Sequence, residues 1–332
     1  NHPDIANDLA APSRPVSAIG YLVEGLRRRR AVGLAPFTTI SCDNLSDNGG
    51  KLGRAVAAFA HACDPGLARW IESEAAFPRT MVDSIVPATD AALRHRVALA
   101  LGRVDRWPVQ REAFAQWVIE DRFCNDAPHW GALGVTISSN VGAFERAKLR
   151  LLNGAHSTLA YLGLLAGHTT VAEAMRDTAL ATFVERMMRD DIQPAVAPPP
   201  GFDVGGYIDD VLKRFRNPAM QHALAQIAWD GSQKLPFRIL GTIRDALVAQ
   251  RPIDRLCQPV ADWFHFVRNA QRDGRTLVDP LAGPLFDAAS GCNGDAAHDV
   301  ARFLALEQVF GADLPRDARF VATLRAAYRT LV

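Results

Sequence analysis

Charge of either sign is nearly absent as a net quantity from this chain. Its 332 residues carry 37 Lys and Arg against 36 Asp and Glu, a formal net charge of +1. That balance gives no electrostatic footing for nucleic acid or for an anionic membrane, so neither is expected as a partner. The basic run Arg27 to Arg30 closes a segment with helical patterning, where cations favour the negative end of the helix dipole. No apolar run reaches the roughly 18 residues of a membrane span; residues 159–166 are apolar but read as part of a core helix. The cysteines Cys42, Cys63, Cys124, Cys257 and Cys292 are odd in number, scattered and free of any C-x-x-C. They suit a reducing, cytoplasmic setting rather than a disulfide framework.

Several chemical signatures are missing too. There is no H-E-x-x-H and no His/Cys quartet, only His61 and Cys63 standing close together, so no metal is expected. Residues 43–49 superficially resemble a calcium loop. Leu45 occupies a ligand position, however, and Arg54 stands where the bidentate glutamate belongs. No G-x-S-x-G elbow occurs. Neither G-x-G-x-x-G nor a Walker-type glycine run is found, since Asp47-Asn48-Gly49-Gly50-Lys51 lacks the required spacing.

What is present is an ordinary globular composition, 48% apolar and 22% charged, at a length that suggests two domains. Up to residue 145, helical and strand patterns alternate. Residues 17–30, 51–63, 65–74 and 91–101 read as helices, and 37–42, 80–86 and 115–120 as strands. This predicts a sheet backed by helices, the rear part of a doubly wound fold. Beyond residue 145 nearly every periodic segment is helical: 148–166, 171–177, 179–189, 206–214, 220–228, 237–250, 259–270 and 299–310. The expected division is therefore an α/β domain over 1–145 and an all-α domain over 146–332. Residues 195–201, with three successive prolines, read as a stiff loop.

The most informative stretch is Lys148-Leu149-Arg150-Leu151-Leu152-Asn153-Gly154-Ala155-His156. At about 100° per residue, Lys148 lies at 0°, Glu145 near 60°, His156 near 80° and Asn153 near 140°. A cation, an acid, an amide and an imidazole thus share one side of a helix that is otherwise mostly apolar and so buried. Buried polar groups require partners. A buried lysine tends to shed its proton, which makes Lys148 a general-base candidate. The same residues also admit a plainer reading, with Lys148 snorkelling toward Glu145 and Asn153-Gly154 marking a kink.

Lys148, Asn153 and His156 form K-x4-N-x2-H, which resembles the active-site signature of the mannitol dehydrogenase family of polyol-specific long-chain dehydrogenases, a family that includes mannitol 2-dehydrogenase and fructuronate reductase. Other segments resemble the family in order along the chain: Ser41-Cys42-Asp43-Asn44 followed by Asn48-Gly49, residues 77–87 (FPRTMVDSIVP), Gln116 to Asp121, Asn217-Pro218, and Asp230-Gly231-Ser232-Gln233-Lys234. The resemblance implies a dehydrogenase using NAD or NADP, NAD favoured, on a sugar, polyol or uronate, as a monomer or homodimer. It implies Lys148 as general acid/base, Asn44 and Asn153 as oxyanion donors, His156 as a substrate-orienting group and Glu145 as a proton relay. Val82 and Asp83 would line the nicotinamide and substrate side, with Asn44 also touching cofactor. Lys234 would lie near the substrate, with His222 close by. Gln226 stands where polyol-oxidising members lead one to expect arginine, which favours a sugar acid over mannitol. One feature departs from the family: its opening glycine-rich strand–turn–helix has no counterpart here, and Asn1 corresponds to a point inside the first domain. The front half of the dinucleotide fold is thus expected to be absent, and the chain also reads as a non-catalytic fragment or binding module that takes no dinucleotide.

Overall fold

The computed structural model describes residues 2–332. The chain folds into two compact units, one running to Ser84 and resuming over Ala113–Glu145, the other made of Ile85–Glu112 and Arg146–Val332.

In the first unit, local signals set the helices. Ser17 accepts from Gly20 N–H and starts Ala18–Ala31. Asp64 accepts from the Gly66 and Leu67 amides and Pro65 occupies the first turn of Pro65–Glu74, where its missing N–H costs nothing. These two helices and Asn48–Cys63 bury Leu26, Val56, Leu67 and Ile71 in a shared core, each such side chain contributing roughly 1.5–3 kcal/mol. The sheet has three short strands, β1 (Thr80–Asp83), β2 (Gln116–Glu120) and β3 (Thr136–Ser138). β1 runs antiparallel to β2, with Val82 opposite Trp117, and β3 runs parallel to β2, with Ile137 opposite Ile119.

Residues 37–42, expected as a strand, are not part of this sheet. Their bonds go elsewhere: Thr39 N–H to Ala76 O at 2.9 Å, Thr38 Oγ1 accepting from Cys124 N–H, and Ser41 O accepting from Thr80 Oγ1.

The second unit is helical. Its centre is the long helix Asp254–Arg272, packed against Ala318–Arg329, Ala282–Ser290 and Gly154–Leu165. Phe264 stacks on Phe303 with ring centroids 4.3 Å apart. Expectation put the start of this helix at Pro259. Pro259 instead lies inside it, where the ring removes one amide donor and tertiary packing carries the turn. The expected helix 220–228 contracts to Leu224–Ile227, because Thr170 and Ala223 form a β-bridge just before it.

Residues 85–112, read from sequence as part of the α/β region, group with the helical unit. A buried ion pair ties it there: Arg214 Nη2 lies 2.7 Å from Glu112 Oε1, with side chains only 6% and 4% exposed. Arg214 Nε also donates to both carboxylate oxygens, and Glu112 Oε1 accepts from Ile85 N–H at 2.6 Å. Leaving either charge alone in that position would cost roughly 3–5 kcal/mol, so the segment is fixed to helix Val204–Phe215.

Candidate active site

Lys148 ends the helix Val141–Lys148, and Leu149–Asn153 continues it as a π-helical turn before Gly154–Leu165. Gly154 N–H bonds to Leu149 O, five residues back. The extra residue takes about 100° out of the accumulated rotation. Relative to Lys148, His156 then moves from about 80° to about −20°, and Asn153 from about 140° to about 40°. The π turn therefore gathers the three polar side chains more tightly onto one face than a regular helix would. Such turns occur frequently at functional sites.

All three are buried, Lys148 and Asn153 at 7% and His156 at 5% exposure. Asn153 Oδ1 and His156 Nε2 have no hydrogen-bond partner, and neither does His222 Nδ1. His156 stacks on Phe215 at 4.4 Å and meets His222 edge-on at 5.2 Å. Burial, with the charges of His222, Arg238, Arg214 and Lys148, drives the His156 pKa well below that of a free imidazole. His156 is thus a neutral group at physiological pH, with an open nitrogen that can donate or accept according to tautomer.

A second π turn, Pro236–Leu240, packs against the first. Gly154 makes the approach possible: a Cβ there would sit 2.9 Å from Arg238 O. Just before this turn lies Gly231–Leu235, held by Ser232, whose amide donates to Asp279 at 2.9 Å and whose hydroxyl bonds the same carboxylate. Gly231 itself is pressed against Trp263 and Tyr161, leaving no room for a side chain. Lys234 is carried on this segment, 3.4 Å from Ile227 O and 4.0 Å from Asp230. Its pKa is lowered by burial and by Arg238; that of His222 is lowered by burial and by Lys234.

The second unit therefore brings together Lys148, Asn153, His156, His222 and Lys234. Gln226 is half-buried on the turn Leu224–Ile227. Glu145 lies one turn before Lys148 on the same helix, with a buried Oε1 that has no partner. Asn44, Val82 and Asp83 belong to the first unit. Asn44 is exposed, Val82 is partly exposed on β1, and Asp83 is buried at the end of that strand. Among the described residues no group of three or more His, Cys, Asp or Glu side chains is placed to hold a metal ion. No helix among them is long and apolar enough to cross a membrane, and all five cysteines are free.

Two features escaped the sequence reading. Arg238 donates to Ser157 Oγ at 3.0 Å, next to His156; its place four residues after Lys234 was the available signal. The Glu112–Arg214 pair joins residues 102 apart, and no local pattern announces such a pair.

An α/β unit with a helical unit that carries a lysine–asparagine–histidine cluster is the two-domain arrangement that the resemblance to the dehydrogenases implies. Comparison with known proteins makes that specific. The mannitol dehydrogenase Rossmann domain matches residues 2–132, and the mannitol dehydrogenase C-terminal domain matches 140–332. The chain is 41% identical to D-mannonate oxidoreductase of Escherichia coli, over 100% of this chain and 68% of that one. It is 38% identical to mannitol 2-dehydrogenase of Aspergillus fumigatus, over 98% of this chain and 66% of that one. A solved ternary complex of Pseudomonas fluorescens mannitol 2-dehydrogenase with NAD and D-mannitol superposes with a TM-score of 0.84 at 37% identity, covering 99% of this chain and 67% of that one. A substrate-free D-sorbitol dehydrogenase gives 0.88 at 31%, covering 99% and 68%. The chain belongs to the mannitol dehydrogenase family. It spans about two thirds of the length of these relatives.

Proposed function

We propose that this protein is a nicotinamide-dependent oxidoreductase, interconverting a secondary alcohol of a polyol or sugar acid with the corresponding ketone. The observation that carries this reading is the π-turned helix, which aligns buried Lys148, Asn153 and His156 and leaves Asn153 Oδ1 and His156 Nε2 without protein partners.

Those residues suit one side of a dehydrogenase reaction. Lys148, deprotonated, takes the hydroxyl proton of the substrate while the hydrogen on the same carbon departs as hydride and the C–O bond becomes C=O. In reduction the protonated lysine returns that proton to the carbonyl oxygen. The Asn153 Nδ2 amide donates to the oxygen on which charge develops, an interaction worth about 10²–10³ in rate, while its unused Oδ1 accepts from a substrate hydroxyl. Neutral His156 bonds a neighbouring hydroxyl and fixes which carbon faces the lysine. Glu145, one turn away, passes the proton toward solvent. Asn44, Val82 and Asp83 are assigned to the cofactor and substrate side through the family resemblance.

The bound nicotinamide would accept or supply the hydride. The glycine turn that cradles a pyrophosphate is not among these 332 residues, so the fit is limited to the nicotinamide end. Two of the relatives are named for D-mannonate and for mannitol, and the neighbouring complex holds NAD, which supports a substrate and cofactor of those kinds. NAD is the favoured cofactor over NADP.

The test is a panel of neutral polyols, aldonates and their keto forms, assayed with NAD(H) and NADP(H). Turnover of at least one polyol or sugar-acid pair, faster with NAD(H), is expected. No hydride transfer with any member and either cofactor would refute the reading.

A further inference from the structure

Arg238 is a cation of the helical unit that the mechanism leaves unused. Its side chain is partly buried, and its hydrogen bond is to Ser157 Oγ, a neutral oxygen, at 3.0 Å. No carboxylate among the described residues pairs with it. Arg214 shows the contrast: more deeply buried, it is clamped on Glu112 by three bonds. Buried charges are ordinarily paired. Desolvation brings the Arg238 pKa down to about 10, and the same positive charge depresses Lys234 four residues earlier. Asp230 offsets Lys234 at 4.0 Å, and Asp279 is engaged by Ser232. Both carboxylates are thus held by other groups, and the Arg238 guanidinium has no direct carboxylate contact.

The location indicates what would complete that contact. Ser157 follows His156 in the helix, and His156 Nε2 is a buried atom without a partner. The positive charge of Arg238 is also felt by His156, so a ligand bonded to His156 lies within reach of the guanidinium. Resting on the oxidoreductase reading above, we propose that Arg238 binds the terminal carboxylate of a sugar-acid substrate, with Lys234 adding long-range attraction, and so makes the enzyme selective for acids over neutral polyols. A guanidinium offers a planar fork matched to a carboxylate. A primary alcohol at the same position cannot neutralise it, so the preference arises from the penalty on the neutral substrate as well as from the ion pair.

D-mannonate and D-mannitol are suitable probes, sharing the polyol chain and differing at the carboxylate. Binding to the cofactor-loaded protein is measured by calorimetry and turnover by hydride transfer, for the native protein, Arg238→Gln and Arg238→Lys. The native protein should favour the acid. Arg238→Gln should lose roughly 10- to 100-fold in affinity and kcat/KM for D-mannonate, the scale of a charge-assisted bond, with D-mannitol altered less than about threefold. Arg238→Lys should fall between, because the charge stays and the fork is lost. Equal losses for both probes in Arg238→Gln would overturn the proposal, assigning Arg238 to scaffold. So would a native protein that binds D-mannonate no tighter than D-mannitol, whatever the variants do. Selective, Arg238-dependent binding of the acid without hydride transfer to any substrate would support the anion site while refuting the oxidoreductase reading.

Discussion

Asn48 opens the helix Asn48–Cys63 in the α/β unit and is 3% exposed; Asn153 closes the π turn in the helical unit and is 7% exposed. Asn48 spends its whole side chain inside the protein. Its Nδ2 reaches Ser41 O, Asp43 O, Thr80 O and Thr80 Oγ1, and its Oδ1 accepts from the Gly49 and Thr80 amides. Asn153 leaves Oδ1 unused. Solvation of an amide costs the same to remove at both positions, so the difference lies in what repays it. At Asn48 the repayment is the turn and strand junction itself. At Asn153, whose Oδ1 is buried without a partner like His156 Nε2 and His222 Nδ1, the proposed function assigns it to a ligand. A buried polar residue thus reads as structural or functional by counting its partners, not by its depth.

That contrast breaks apart cleanly if each asparagine is truncated. Asn48→Ala should cost roughly 3–5 kcal/mol, since several buried backbone groups lose their partner together, and turnover should change only in proportion to the folded fraction. Asn153→Ala should shift stability by less than about 1 kcal/mol yet lower kcat by about 10²–10³. Denaturant midpoints read beside kcat decide the matter. If Asn153→Ala proves as destabilising as Asn48→Ala, the unused oxygen is not a ligand site.

Asp262 sharpens the comparison from another side. It is 3% exposed in the long helix, bonded only through long contacts of 3.3 and 3.4 Å to Gln258, and burial raises its pKa to about 7 from 3.8. It is isolated, so the account assigns it to stability and not to ligand binding. The folded state holds the proton more tightly than the unfolded chain does. Its contribution is therefore complete below pH 3.8 and is lost as pH rises through about 7. Asp262→Asn should flatten the pH dependence between those limits and add roughly 2–4 kcal/mol at pH 8, from a shift near three units. Chemical denaturation at pH 5 and pH 8 measures it. Unchanged pH dependence would show that Asp262 is ionised in the folded state.

Much of this could be seen in the chain beforehand, where the deciding physics is local. Asp64-Pro65 carries both a cap and a first-turn proline, and the helix Pro65–Glu74 falls where expected. Ser17 does the same for Ala18–Ala31. The family signature brought Lys148, Asn153 and His156 to notice, and the helical pattern placed them on a common side. What stayed hidden needed partners remote in sequence or a change of helical period. Three π turns, Leu149–Asn153, Met187–Ile192 and Pro236–Leu240, alter which residues share a face, and a fixed 100° step cannot register them. Gly154 against Arg238 O is visible only once both turns are built. Residues 85–112 join the helical unit through Arg214, far along the chain. The extended segment 37–42 has strand composition, yet its bonds run to Ala76, Thr80 and Cys124 rather than to the sheet.

The central claim is that the helix around the first π turn carries proton transfer, with Lys148 as the acid and base. The most direct measurement is kcat of Lys148→Ala beside its denaturation midpoint, in the cofactor-loaded protein with its best substrate. Lys148→Ala should lose about 10²–10⁴ in kcat, the usual contribution of a positioned acid–base group, with the midpoint close to that of the native protein. Retention of more than about half the activity, where that loss is expected, would contradict it.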